Sequence, residues 1–128
     1  MLEDIGIAMP EDIVVTHPRA GIAVVALKGE HDLKTRDEVA TMFSGLIATN
    51  KLVIVDASEA LFIDSSFLSN LLLADNDAKV RGTRFVLEMG TASIVRKALE
   101  VTGTLERLDS VTSREEALAQ LERNPTAH

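Results

Sequence analysis

Residues 52–74 read LVIVDASEALFIDSSFLSNLLLA, and the change of period inside this stretch decides the fold. Leu52-Val53-Ile54-Val55 is apolar without alternation, the pattern of a central strand covered on both faces. Asp56 marks its end, and Ala57 to Ile63 reads as a loop. Asp64-Ser65-Ser66 then opens a helix in which Phe67, Leu68, Leu71, Leu72, Ala74 and Ala78 form one broad apolar stripe. Gly82 stands where that helix has to stop. A buried strand followed by an amphipathic helix is part of a parallel crossover unit, so the flanking sequence is read for the rest of a sheet.

Upstream, the β-branched run Ile13 to His17, the turn formers Pro18 to Gly21 and the run Ile22 to Leu27 predict an antiparallel hairpin. Thr35 followed by Glu38 matches a capping box for a helix over Arg36 to Ala48, with Val39, Met42, Phe43, Leu46 and Ile47 on its buried side. Downstream come a strand over Thr83 to Glu88, a helix over Ser93 to Val101 stopped by Gly103, and a short last strand at Leu105 to Leu108. Ser113 to Glu116 is a second capping box, opening a final helix to about Arg123. The expected architecture is a single α/β domain over residues 12–123: a mixed sheet, with an N-terminal antiparallel hairpin and later strands parallel, flanked by about four α-helices. Residues 1–11 read as a leader and 124–128 as a frayed tail.

Composition narrows the function. The chain has 128 residues, 46% of them apolar, which suits one compact domain. Lys and Arg total 13 against 20 for Asp and Glu, and the net charge of −7 opposes direct binding to nucleic acid or to an anionic membrane surface. No apolar run approaches the roughly 20 residues of a membrane-spanning helix, and the acidic start lacks a secretory pattern, so no membrane insertion and a cytoplasmic location are expected. Absence of Cys removes disulfides and thiolate chemistry. Aromatic content of 3% predicts an aliphatic core.

No constellation of residues supports catalysis. Gly29-Glu30-His31-Asp32-Leu33 reads as a turn, and its three polar residues have no second cluster to complete a metal site. Ser65, His31 and Asp64 formally offer a Ser-His-Asp set, but the adjacency of Asp64 and Ser65 makes the orienting chain awkward. Asp32, Asp56, Asp64 and Glu88 all fall near strand ends, yet the paired acids and the Lys of a phosphoacceptor site are missing, so they read as scattered solvated caps. Asp64-Ser65-Ser66 reads first as a helix N-cap. The same position, with unpaired N–H groups and the positive end of the helix dipole, tolerates a phosphate. Ser66, Ser69, Asn70, Leu73 and Asp77 fall off the buried stripe, leaving Leu73 exposed.

GEHDLKT after an apolar strand, the central LVIVDASEALFIDSSFLSNLLLA and the later GTRFVLEMGTASIVRKALEVTG together resemble the STAS domain of bacterial anti-sigma factor antagonists, over about Ile13 to Leu121. The resemblance implies a binding protein that is not an enzyme and needs no cofactor. Its partners would be a serine-kinase anti-sigma factor, bound in the unphosphorylated state, and a PPM-type phosphatase. Ser65, directly after the motif Asp64, would accept the phosphate, regulating sigma-dependent transcription. Glu30, His31 and Asp32 would lie in an adjacent partner-facing turn, with Asp64, Ser66, Phe67, Ser69, Asn70 and Leu73 completing the partner surface. Where that family commonly continues with Gly-Leu-Gly, this chain has Phe67-Leu68-Ser69. The alternative implied by the same domain is a structural or accessory subunit of a stress-signalling or transporter complex.

Overall fold

A computed structural model of the chain describes residues 13–31, 36–63, 65–90 and 94–123. Among the described residues, five strands and four helices follow one another as β1 (Ile13–Arg19), β2 (Ile22–His31), α1 (Arg36–Thr49), β3 (Leu52–Ile63), α2 (Ser65–Arg81), β4 (Arg84–Glu88), α3 (Ile94–Thr102), β5 (Ser110–Val111) and α4 (Arg114–Arg123), with a 3-10 turn at Leu105–Arg107. The sheet order is β1-β2-β3-β4-β5; β1 and β2 are antiparallel and all later pairs parallel. The expected mixed sheet is therefore present. Its order follows the chain without reversal, so it lacks the topological switch point at which open parallel sheets usually open a ligand crevice.

The two faces of the sheet are covered unequally. On one side Val25, Leu27, Val53, Val55, Phe85 and Leu87 pack against residues of α1, α2 and α3. On the other, Ile22, Val24, Leu52, Ile54 and Val86 meet α4 through Ala117 and Leu118. Val39, Phe43 and Ile47 of α1 are fully buried and Met42 and Leu46 partly so, as the helical spacing requires. The core is not purely aliphatic. Phe43 from α1 makes edge-to-face contacts with Phe67 of α2 and Phe85 of β4, with centroids 6.3 and 5.6 Å apart.

Several boundaries differ from the sequence reading, each for an identifiable reason. The segment 57–63 is strand, not loop. Two register shifts against β2, between Ala26 and Lys28 and between Gly29 and Glu30, insert extra residues into β3 and break the alternation that marks a strand. Ala57 and Ala60 consequently both point inward, three positions apart. The first bulge brings β3 against the chain leaving β4. Gly90 there has φ +78°, and a Cβ on it would stand 2.9 Å from the Cβ of Ser58.

The last strand is Ser110–Val111, hydrogen-bonded beside Leu87 and Glu88, whereas Leu105–Arg107 forms the 3-10 turn. An apolar run of that length does not distinguish the two. In β1, Pro18 lies inside the strand instead of in the turn, because a bulge between Thr16 and Arg19 on this edge strand removes the need for its missing N–H.

The end signals are followed closely elsewhere. Gly82 adopts φ +80° and the Thr83 N–H donates to the Ala78 carbonyl at 2.9 Å, closing α2 in a Schellman turn. At α4 the Ser113 hydroxyl accepts from the Glu116 N–H at 3.2 Å. The Glu116 carboxylate reaches back one residue further than a capping box requires, to the N–H and hydroxyl of Thr112 at 2.9 and 2.8 Å. Thr35 of the other expected box lies outside the described residues.

Candidate functional site

Ser65 is the first residue of α2 and is exposed. Parallel pairing of β2 with β3 continues to Glu30 opposite Phe62 and His31 opposite Ile63, so the end of β2 lies beside the chain two residues before Ser65. Glu30 and His31 thus belong to the end of a strand and not to the turn expected of them. Pairing with the bulged continuation of β3 extends β2 past Leu27. Asp32 and Asp64 lie outside the described residues.

Along α2, Ser65, Ser69 and Leu73 are all exposed, Leu73 at 67%, and their i, i+4, i+8 spacing puts them on one face. Ser66 is half-buried at the edge of that face. Phe67 and Asn70 do not belong to the surface. Phe67 is 1% exposed and seated against Phe43, and Asn70 is 5% exposed beside the α1–α2 contact. Packing of α2 against α1 carries both under cover, so neither presents a side chain to a docked partner. Asn70 lines a small cavity of about 190 Å³ with Phe43, Ser44 and Leu73.

A larger feature escaped the sequence reading. Ser65 and Leu68 of α2 face α3 across an open groove of about 480 Å³, whose other wall includes Ile94, Lys97, Ala98 and Val101. Ile94 and Val101 are 62% and 79% exposed, well beyond what packing of α3 on the sheet needs. Val95 and Leu99 already supply that packing, both buried. The signal in the sequence was the apolar pair Ile94 and Val101 seven residues apart, together on one flank of the stripe that Val95 and Leu99 centre.

The acidic strand ends have a different role from the scattered caps expected of them. Asp56 and Glu88 are register partners on β3 and β4, and both are largely buried on the α4 side. Arg114, from the first turn of α4, spans them: its Nη2 donates to Asp56 Oδ2 at 2.8 Å and its Nε to Glu88 Oε1 at 2.6 Å. The other oxygen of Asp56 accepts from the N–H and hydroxyl of Ser58 at 3.0 and 2.6 Å. Burial pushes the Glu88 carboxyl above its ordinary value, and the Arg114 hydrogen bond opposes this without cancelling it. The guanidinium takes the place a cation would need between these acids, so the cluster holds α4 to the sheet. Among the described residues no group of three or more metal-ligating side chains gathers anywhere, and no helix is long and apolar enough to cross a membrane.

The chain, with its monotonic five-stranded order and three crossover helices on one face, superposes on solved structures. Its fold is that of the STAS domain. No protein-family model matches the chain. An anti-sigma factor antagonist from Mycobacterium paratuberculosis superposes with TM-score 0.73 at 19% identity, covering 91% of this chain and 99% of the other. The Bacillus cell fate determinant SpoIIAA in its phosphorylated form gives TM-score 0.66 at 19% identity, covering 85% and 98%. A sulfate transporter family protein from Wolinella succinogenes gives TM-score 0.70 at 20% identity, covering 84% and 90%. Within this STAS fold, Ser65 leads the helix between β3 and β4, and the groove described above lies at its start.

Proposed function

We propose that this protein is an anti-sigma factor antagonist of the cytoplasm, a binding protein without catalytic machinery of its own. In this reading the unphosphorylated chain binds a serine-kinase anti-sigma factor and so frees a sigma factor for transcription. The kinase ends the interaction by transferring the γ-phosphoryl group of ATP to the Ser65 hydroxyl, and a PPM-type phosphatase restores it. The observation that carries the reading is the setting of Ser65: an exposed hydroxyl opening α2, at the mouth of an apolar groove, in a fold shared with antagonists one of which is known in a phosphorylated form.

The exposed face of Ser65, Ser69 and Leu73, with Ser66 at its edge and the β2 end at Glu30 and His31 beside it, is the proposed partner surface. Asp32 and Asp64 are proposed to belong to it by their place in the chain. A phosphate adds a charge of about −1.5 to −2, and a dianion buried at an interface costs binding unless it is paired. In the free protein the N–H groups of the first turn of α2 and the helix dipole tolerate it.

Incubating the protein with ATP and candidate serine-kinase anti-sigma factors, followed by mass-spectrometric mapping, tests the reading. Phosphate on Ser65 with loss of the complex is the expected result. Stable binding to a partner without transfer favours the second reading, an accessory STAS subunit, which the likeness to a sulfate transporter family protein supports.

A further inference from the structure

The groove beside Ser65 contains one cation among its described lining residues, Lys97 on α3. No carboxylate pairs with it among the described residues, whereas its chain neighbour Arg96 lies 3.5 Å from Glu100. The other long side chains of the groove are apolar: Leu68 from α2, and Ile94 and Val101, which flank Lys97 on the same side of α3 at i−3 and i+4. In a chain with net charge −7, a lone ammonium set among apolar side chains and sharing a groove with a serine hydroxyl is a specific arrangement. Its stem gains by lying along the apolar wall and its head is free to reach the mouth.

We propose that Lys97 is the counter-ion for a phosphoryl group on Ser65, so that phosphorylation is met within the same chain by an ammonium brought across the groove from α3. The inference rests on the reading of Ser65 as a phosphoacceptor. It adds that modification both introduces a dianion and occupies the cation of the groove, blocking the apolar surface between α2 and α3 from within. Unmodified, the groove offers its partner an apolar cleft with one positive charge.

The contact is tested without any partner. Full-length protein carrying phosphoserine at position 65, installed by genetic encoding, is titrated by phosphorus NMR in low salt, alongside the same protein with Lys97→Gln, Lys97→Glu or Arg96→Gln. With Lys97 present, the second ionisation of the phosphate is expected to fall about half a pH unit below that in Lys97→Gln, the size of a solvent-exposed ion pair. Lys97→Glu is expected to raise it above both, and Arg96→Gln to leave it in place. Salt at about 1 M is expected to erase most of the difference. Coincident midpoints in the parent protein and in the Lys97→Gln and Lys97→Glu variants, with unchanged amide spectra elsewhere, overturn the proposal. Because the phosphate is installed during translation, a kinase that never modifies Ser65 would sink the switch while leaving this comparison standing.

Discussion

Phe67 stands where the motif it resembles carries glycine, and it has been absorbed into the core instead of the surface. Its ring, 1% exposed, meets Phe43 edge to face. Phe67→Ala is expected to cost about 3–5 kcal/mol in urea denaturation, the range for truncating a buried Phe, whereas an effect on partner binding alone would contradict this placement. Ser65 on the same helix behaves oppositely. Ser65→Ala is expected to leave unfolding within about 0.5 kcal/mol of the wild type and to bind the proposed anti-sigma partner constitutively, while Ser65→Glu weakens that binding; isothermal titration reads the binding of both. Glu88 gives a pH signature. Its carboxyl is raised by burial, so the folded chain holds that proton more tightly than the unfolded chain does. Stability from this group therefore increases as pH falls through its folded value, and levels off below the unfolded one. Wild type is expected to gain on Glu88→Gln between about pH 7 and pH 4 in chemical denaturation; a constant difference would refute the assignment.

At the scale of elements, α4 is attached differently from the other helices. Its apolar contact is small, Ala117 and Leu118 against the sheet, and much of its anchoring is polar. Arg114 bridges two strands, and Gln120 accepts from the Arg84 guanidinium. Arg114→Ala leaves Asp56 and Glu88 facing each other in register with no cation between them. Allowing for the 37% exposure of the Arg114 side chain, a loss of about 1–3 kcal/mol is expected, together with loss of hydrogen-exchange protection in α4 before the rest of the molecule. The bulged half of β3 is the other element with a special requirement. Gly90→Ala places a methyl 2.9 Å from Ser58 Cβ at a positive φ, and a cost of about 1–3 kcal/mol in thermal or urea unfolding checks the close approach.

Among the described residues, one face of the sheet carries α1, α2 and α3 and the other only the short α4. The exposed serine, the groove and Lys97 all belong to the three-helix side, while Asp56 and Glu88 share the Arg114 guanidinium on the α4 side. The proposed partner surface and the internal bracing are thus separated by the sheet, so modification at Ser65 need not disturb the Arg114 bridge. The order of elements, the direction of the strands and the stripes of α1 and α2 were legible in the sequence because each is a local pattern of period or end signal. Gly82 and Ser113 are end signals of this kind, fixing backbone conformation through neighbours in the chain. Ser65 at the head of α2 was legible for the same reason.

The rest depended on contacts between distant residues. β3 looked like a loop after Asp56 because its two bulges shift side-chain direction only in answer to β2, and a strand's period has no meaning until its partner is in place. Asp56 and Glu88 looked solvated because Arg114, 58 and 26 residues away, reaches them only when α4 folds back over the sheet. Asn70 looked exposed because its burial comes from α1 and not from α2 itself. The amino-acid sequence alone thus determined the alternating α/β chain and placed a serine at the start of its central helix. Only the tertiary structure decided which side chains share that serine's surroundings, because a groove formed by two helices, like a salt bridge between two strands and a third element, exists only in packing.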